Sequence, residues 1–120
     1  MNLDFYDSQG RPFAYTDDGE TIYSFNGQPI AYLDGDSVYS FTGAHVGFFE
    51  NGQVWDHAGG VTLFTDGAVG GPLKPLKALK PLKGLKQLKP LKGLKTLKPL
   101  KPLKGLSWAD RSASDIFFGA

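Results

Sequence analysis

The chain has 120 residues, 41% of them hydrophobic, no cysteine and a formal net charge of +1, enough for one compact domain and short for two. Without cysteine there is no disulfide framework and no thiolate metal site, and no run of about 18 apolar residues offers a membrane-spanning helix. The near-neutral total hides a separation of charge: residues 1–71 carry ten acids against Arg11 alone, residues 72–106 carry eleven lysines and no acid, and the end holds Asp110, Asp115 and Arg111. One half is a polyanion and the other a polycation.

Residues 1–5 supply neither a basic n-region nor an apolar h-region, so no secretory signal is read there and a cytoplasmic product is the default. Export that needs no N-terminal signal stays open. Residues 1–67 then repeat one unit four times. The copies align as Tyr6/Gly10/Tyr15, Tyr23/Gly27/Tyr32, Tyr39/Gly43/Phe48 and Trp55/Gly59/Phe64, each followed by a second glycine at Gly19, Gly35, Gly52 or Gly67. Each copy reads as two short strands and two tight turns. Asn26-Gly27 and Asp34-Gly35 are primed-turn signals, and Ile22-Tyr23-Ser24-Phe25 and Ile30-Ala31-Tyr32-Leu33 are rich in β-branched and aromatic residues. Pro12 and Pro29 suit the first residue of a strand. The reading is all-β: an antiparallel meander of about eight strands, four hairpins sharing a core around a pseudo-fourfold axis.

Residues 68–71 read as a glycine-rich hinge. It lacks the Lys-Ser/Thr of a phosphate-binding loop. From Pro72 the sequence is x-Leu-Lys to Gly105-Leu106, and proline recurs at 72, 81, 90 and 99, so a nonapeptide is written four times. Six prolines in this run rule out an α-helix, and a strand would send successive leucines to opposite faces. Polyproline II, with three residues per turn, puts leucines on one edge, lysines on a second and x on the third. At about 3.1 Å per residue, the 35 residues would reach roughly 110 Å, close to the perimeter of a disc about 35 Å across. A collar around the domain is therefore geometrically possible, with one nonapeptide along each hairpin; bending at Gly84, Gly93 and Gly105 or reaching other molecules stays open. Its leucine edge is expected to bury against the rim aromatics, for about 1.5–3 kcal/mol per leucine.

The basic arm is Lys74, Lys77, Lys80, Lys83, Lys86, Lys89, Lys92, Lys95, Lys98, Lys101 and Lys104. Its expected seats are Asp17, Asp34, Asp36, Glu50 and Asp66. In residues 107–120, Ser107 with Asp110 three residues on suggests a short helix through about Ser114. Trp108, Ile116, Phe117 and Phe118 are expected to dock as a latch.

The copies at 23–38 and 39–54, followed by the Lys-Pro-rich triplet tail and the Ser107-Trp108 ending, resemble the bacterial 4-fold β-flower domain family across essentially the whole chain. The resemblance implies a four-hairpin flower and supplies no catalytic residue, since that family has no established activity. The hairpins are loosely similar to tyrosine-aspartate repeats of large shell-forming toxins, which run to many more copies.

For chemistry the sequence offers little. His45 and His57 occupy non-equivalent repeat positions outside any metalloprotease motif, no Gly-x-Ser-x-Gly elbow occurs, and the acidic pairs Asp17-Asp18 and Asp34-Asp36 read as turns rather than calcium loops. No enzyme activity, cofactor or metal is expected. The expected function is a structural or assembly module whose arm clasps acidic domains, its own or a neighbour's, so the chain itself is the expected partner, as a collar or a homo-oligomer. The alternative is a tether to an anionic membrane or cell-wall polymer. Nucleic acid is less favoured, because the arm has no arginine and no interleaved aromatics for base stacking.

Overall fold

The computed structural model describes residues 1–119. Eight strands form a closed antiparallel meander barrel in sequence order: β1 (Leu3–Tyr6), β2 (Pro12–Thr16), β3 (Thr21–Ser24), β4 (Pro29–Asp34), β5 (Ser37–Tyr39), β6 (His45–Glu50), β7 (Gln53–Trp55) and β8 (Val61–Phe64). Pro12 and Pro29 each open a strand, where a missing N–H costs least. One inward residue per strand builds the core, including Phe5, Ala14, Ile22, Ala31, Val38, Val54 and Leu63. The next residue points outward, and in every strand it is aromatic: Tyr6, Tyr15, Tyr23, Tyr32, Tyr39, Phe48, Trp55 and Phe64. All eight of these outward rings are buried. A small barrel fills its interior with side chains, so the outward rings require a cover from elsewhere in the chain.

The two kinds of turn differ, and the difference places the cover. At one end the hairpins are tight: Asp34 pairs with Ser37, leaving Gly35-Asp36 as the loop, and Glu50 pairs with Gln53 around Asn51-Gly52. Asn51 and Gly52 both have positive φ, as a primed turn demands. At the other end the Asn26-Gly27 turn is wider than expected. Ser24 N–H donates to the Gln28 carbonyl at 2.8 Å, Gly27 N–H donates to Ser24 at 3.0 Å, and the ladder slips by a residue at Ile22/Tyr23. The loops at Gly10, Gly43 and Gly59 repeat this geometry. The bulge turns Phe25 and Phe41 onto Tyr15 and Tyr32, at 5.3 and 5.4 Å between ring centres.

Closure is thin at the seam, where β1 and β8 pair through Tyr6 and Phe64. The rest of the β8 edge is taken by residues 107–109: Val61 N–H donates to the Ser107 carbonyl at 3.1 Å, and Ala109 N–H donates to Val61 at 2.9 Å. This overturns the helix expected from Ser107, because an unpaired strand edge claims that backbone first. The helix α1 (Ala113–Phe118) begins later, with Ser112 as N-cap accepting from Asp115 N–H at 3.1 Å. Ala113, Ile116 and Phe117 plug the barrel end into the main core, and Trp108 packs 5.9 Å from Phe64. Phe118 departs from the expected latch: it is 55% exposed, since its neighbour Phe117 takes the inward side of so short a helix.

Candidate functional site

The cover is the arm. Residues 73–104 form neither helix nor strand and run around the barrel, and the chain with its arm has principal extents of 36 × 36 × 25 Å. A circle of the longer extent measures roughly 110 Å, the same as 35 residues of polyproline II. The three columns of the x-Leu-Lys register have three different environments.

The x column faces the barrel and makes the backbone contacts. Ala78, Gln87, Thr96 and Gly105 donate their N–H groups to the carbonyls of Gly10, Gly27, Gly43 and Gly59, at 2.8–2.9 Å. The arm advances nine residues while the barrel advances one repeat. Gly84 and Gly93 donate in the same way to Phe25 and Phe41, at 2.7 and 2.8 Å. A Cβ at either would drive into the Asn26 or Thr42 carbonyl, and a Cβ on the loop glycines would overlap the carbonyls of Leu76, Leu85, Leu94 and Leu103. Proline takes the x positions from which no N–H is given to the barrel, such as Pro81, Pro90 and Pro99.

The lysine column points at the outward rings. Lys83 stands 4.2 Å over Tyr15, Lys86 5.1 Å over Tyr23, Lys92 4.3 Å over Tyr32 and Lys95 5.5 Å over Tyr39. Lys77 covers Tyr6, Lys98 and Lys101 flank Phe48, Lys104 covers Trp55 and Lys74 covers Trp108. Each such ammonium meets the negative face of a ring. Carboxylates complete the shell from the side. Lys80 pairs with Asp4 at 2.7 Å, Lys83 and Lys86 with Asp17 at 3.3 and 2.6 Å, and Lys92 with Glu20 at 3.6 Å. Lys95 pairs with Asp34, Lys98 with Asp36 at 2.6 Å, Lys101 with Asp36 and Glu50, Lys104 with Glu50 at 2.5 Å, and Lys77 with Asp66. Among the described residues Lys74 and Lys89 meet no acid within 4.0 Å, and Lys74 donates instead to the Gly70 and Pro72 carbonyls.

All five acids named from the sequence meet the arm. Two more were missed, Asp4 and Glu20, and the sequence held a signal for them: they precede Asp36 at steps of 16 residues, the repeat period. The remaining acids serve turns. Asp7 accepts from Gln9 and Arg11 N–H, Asp18 from Glu20 and Thr21, and Asp56 from Ala58 and Gly60. Hydrogen bonds from lysine hold Asp17, Asp34, Asp36 and Glu50 below the usual carboxylate range, and the partner carboxylates raise Lys80, Lys86, Lys95 and Lys101.

The leucine column is the correction. Leucines expected to bury against the rim aromatics instead point to solvent: Leu73 through Leu103 are 93–97% exposed and Leu106 is 82% exposed. The physical reason is room. The barrel-facing side brings backbone against backbone, and at Gly84 and Gly93 it leaves no room even for a Cβ. The rings are satisfied by ammonium groups whose own partners stand on the acidic rim.

A second constellation breaks the fourfold pattern. His57 stands where earlier copies place Phe25 and Phe41, and His45 where they place Pro12 and Pro29. The structure brings these histidines together: His45 Nδ1 lies 2.8 Å from His57 Nε2, and His45 Nε2 lies 3.1 Å from Ser37 Oγ. They border a cleft of about 260 Å³ with Asp56, Arg111 and Ile116. The order Ser-His-His is that of a proton relay. Ser37, however, is only 2% exposed, so no substrate reaches its hydroxyl. Burial, then the neighbouring His57 and Lys98 charges, push His45 down to about 4, against the pull of Asp36. Among the described residues, no three His, Cys, Asp or Glu side chains are grouped to hold a metal ion, and no helix is long and apolar enough to cross a membrane.

No curated protein and no solved structure matches this chain. The family model of the 4-fold beta flower protein matches residues 3–117, nearly the whole sequence. The closed barrel of four repeated hairpins is consistent with that description, and the chain belongs to the 4-fold beta flower family.

Proposed function

We propose that this chain is a non-enzymatic structural module in which the basic arm clasps the acidic barrel of its own chain, finishing it as a self-contained disc. The observation that carries this reading is the match of two periods: each nonapeptide sets one Leu carbonyl against a loop glycine and gives one x N–H to that glycine's carbonyl, four times over, while lysines stand over seven of the eight outward rings. Proline in the arm limits its freedom before it docks, which lowers the entropy lost in wrapping. The barrel in turn gains a cover for seven outward rings, with Trp108 covering the eighth, Phe64.

The reading is tested by thermal melting and light scattering of the full chain beside a 1–71 truncation. The truncation is expected to melt far lower and to self-associate through bared rings. Equal melting temperatures and equal masses would overturn the clasp. A tether to an anionic membrane or polymer is the second reading, and it needs free ammonium groups, whereas these point inward onto rings and carboxylates. Co-sedimentation of the full chain with acidic vesicles at low salt decides between them: the clasp predicts little binding, and strong salt-sensitive binding would favour the tether.

A further inference from the structure

The lysines face inward and the leucines do not, so the outer rim of the disc is a continuous apolar ridge. We infer that this ridge is the surface by which copies of the chain pack edge to edge, leucines of one arm between leucines of the next. The inference deepens the structural reading and rests on the clasp in cis, which is what turns the leucines out.

Four observations select a second copy as the occupant. The first is area. By the transfer coefficient a leucine side chain carries roughly 100 Å² of apolar surface, so the twelve rim leucines expose about 1,200 Å², well beyond the largest patch on a typical monomer, about 300–600 Å². One edge, a nonapeptide with three leucines, offers about 300 Å². Two such edges together bury about 600 Å², below the ~1,000 Å² of a stable pairwise interface. A single contact is weak and a disc held on several edges is not.

The second is register. Leucines recur about every 9.3 Å along polyproline II, which leaves a gap one side chain wide, and an identical ridge running antiparallel fills it under two-fold symmetry. The third is charge. Seven barrel carboxylates pair with nine of the eleven arm lysines and the chain totals +1, so rims approach without strong repulsion. The fourth separates a copy from a bilayer. The ridge is one residue tall, whereas a hydrocarbon core is about 30 Å thick. Among the described residues the arm's leucine and lysine N–H groups donate to no protein acceptor, and lipid would leave them stranded.

The test is sedimentation velocity of the full chain from micromolar to near-millimolar concentration, beside Leu91→Gln/Leu94→Gln/Leu97→Gln on one edge and the same change at every rim leucine. These side chains are 82–97% exposed, and trypsin resistance of the arm reports the clasp separately. The wild type is expected to grow past a dimer with concentration. The one-edge variant should need roughly tenfold more protein, and the all-edge variant should stay monomeric with its arm still resistant. A wild type that stays monomeric with a resistant arm overturns the rim contact and leaves the clasp standing. A monomer with a cleaved arm overturns both, and growth unchanged in the all-edge variant places the contact elsewhere. Neutral phosphatidylcholine vesicles form the control arm: a monomeric chain that sediments with them would assign the rim to lipid and refute self-packing.

Discussion

Replacing Gly93 with alanine tests whether the arm is seated where the hydrogen bonds place it. The Gly93 Cβ would run into the Thr42 carbonyl oxygen, and the backbone there has no positive φ to strain, so the effect is steric. The arm must lift, which removes the Gly93 N–H bond to Phe41 and weakens the Thr96 N–H bond to Gly43, each 2.8 Å long. At about 0.5–1.5 kcal/mol per bond, the loss is about 1–3 kcal/mol, or about 4–12 °C in melting temperature for a domain of this size. Gly35→Ala is the matched control. Gly35 has φ of +62° and nothing within 4 Å of its Cβ, so that variant carries only left-handed backbone strain, about 1–2 kcal/mol, with no effect on the arm. Trypsin separates the two. Six lysines in the arm precede a residue other than proline, and those six residues are the ones whose N–H groups bond to the barrel. Cleavage after Lys92 and Lys95 is expected to accelerate in Gly93→Ala and to stay at the wild-type rate in Gly35→Ala. A Gly93→Ala protein that melts and resists trypsin like the wild type would refute the seating.

Three further outcomes follow from the same geometry. Asp17, Asp34, Asp36 and Glu50 have carboxyl groups held below their ordinary values, so their contribution is present above about pH 4 and is lost progressively as pH falls toward the depressed folded values; acidification from pH 5 to pH 2 should weaken the arm's seat, read as a lower melting temperature and faster amide exchange at Gly93 and Thr96, and an arm held equally well at pH 5 and pH 2 would show that these pairs do not hold it. His45 is pushed from 6.5 to about 4, so its contribution is present above pH 6.5 and declines as pH falls toward 4; His45→Val/His57→Phe, which restores residue types used in the other copies, should flatten that part of the stability–pH curve, and an unchanged slope would assign it to other groups. Phe117→Ala removes a side chain buried in the core and should cost about 3–5 kcal/mol, whereas the more exposed Phe118→Ser should stay within about 0.5 kcal/mol, both measured by urea unfolding.

The barrel was legible because its determinants are local. Two glycines recurring every 15–17 residues mark both turns of every repeat, and the aromatic placed before and after each loop falls on one side of its strand. The arm's three columns and its length were legible for the same reason. Which column faces the barrel was not. Counting apolar surface assigns the leucines to the rings, and that count ignores the closeness of the two backbones. The small residues at Gly84, Gly93 and Gly105 were the available signal, since a column of glycine marks the side of close approach. The histidine pair was hidden because His45 and His57 lie twelve residues apart at unlike repeat positions, and only the bulged loops and the β6 register bring them together. The start of α1 was misplaced because the free edge of β8 competes for residues 107–109, a tertiary effect that a local capping pattern does not contain.

Amide hydrogen exchange along the arm, resolved by residue, tests the collar most directly. Ala78, Gly84, Gln87, Gly93, Thr96 and Gly105 should be slowed while the leucine and lysine amides between them exchange at open-chain rates, a protection pattern with a period of three. Uniformly fast exchange from 72 to 106, or protection that falls on the leucine amides, would contradict an arm seated by its small residues with its leucines turned to solvent.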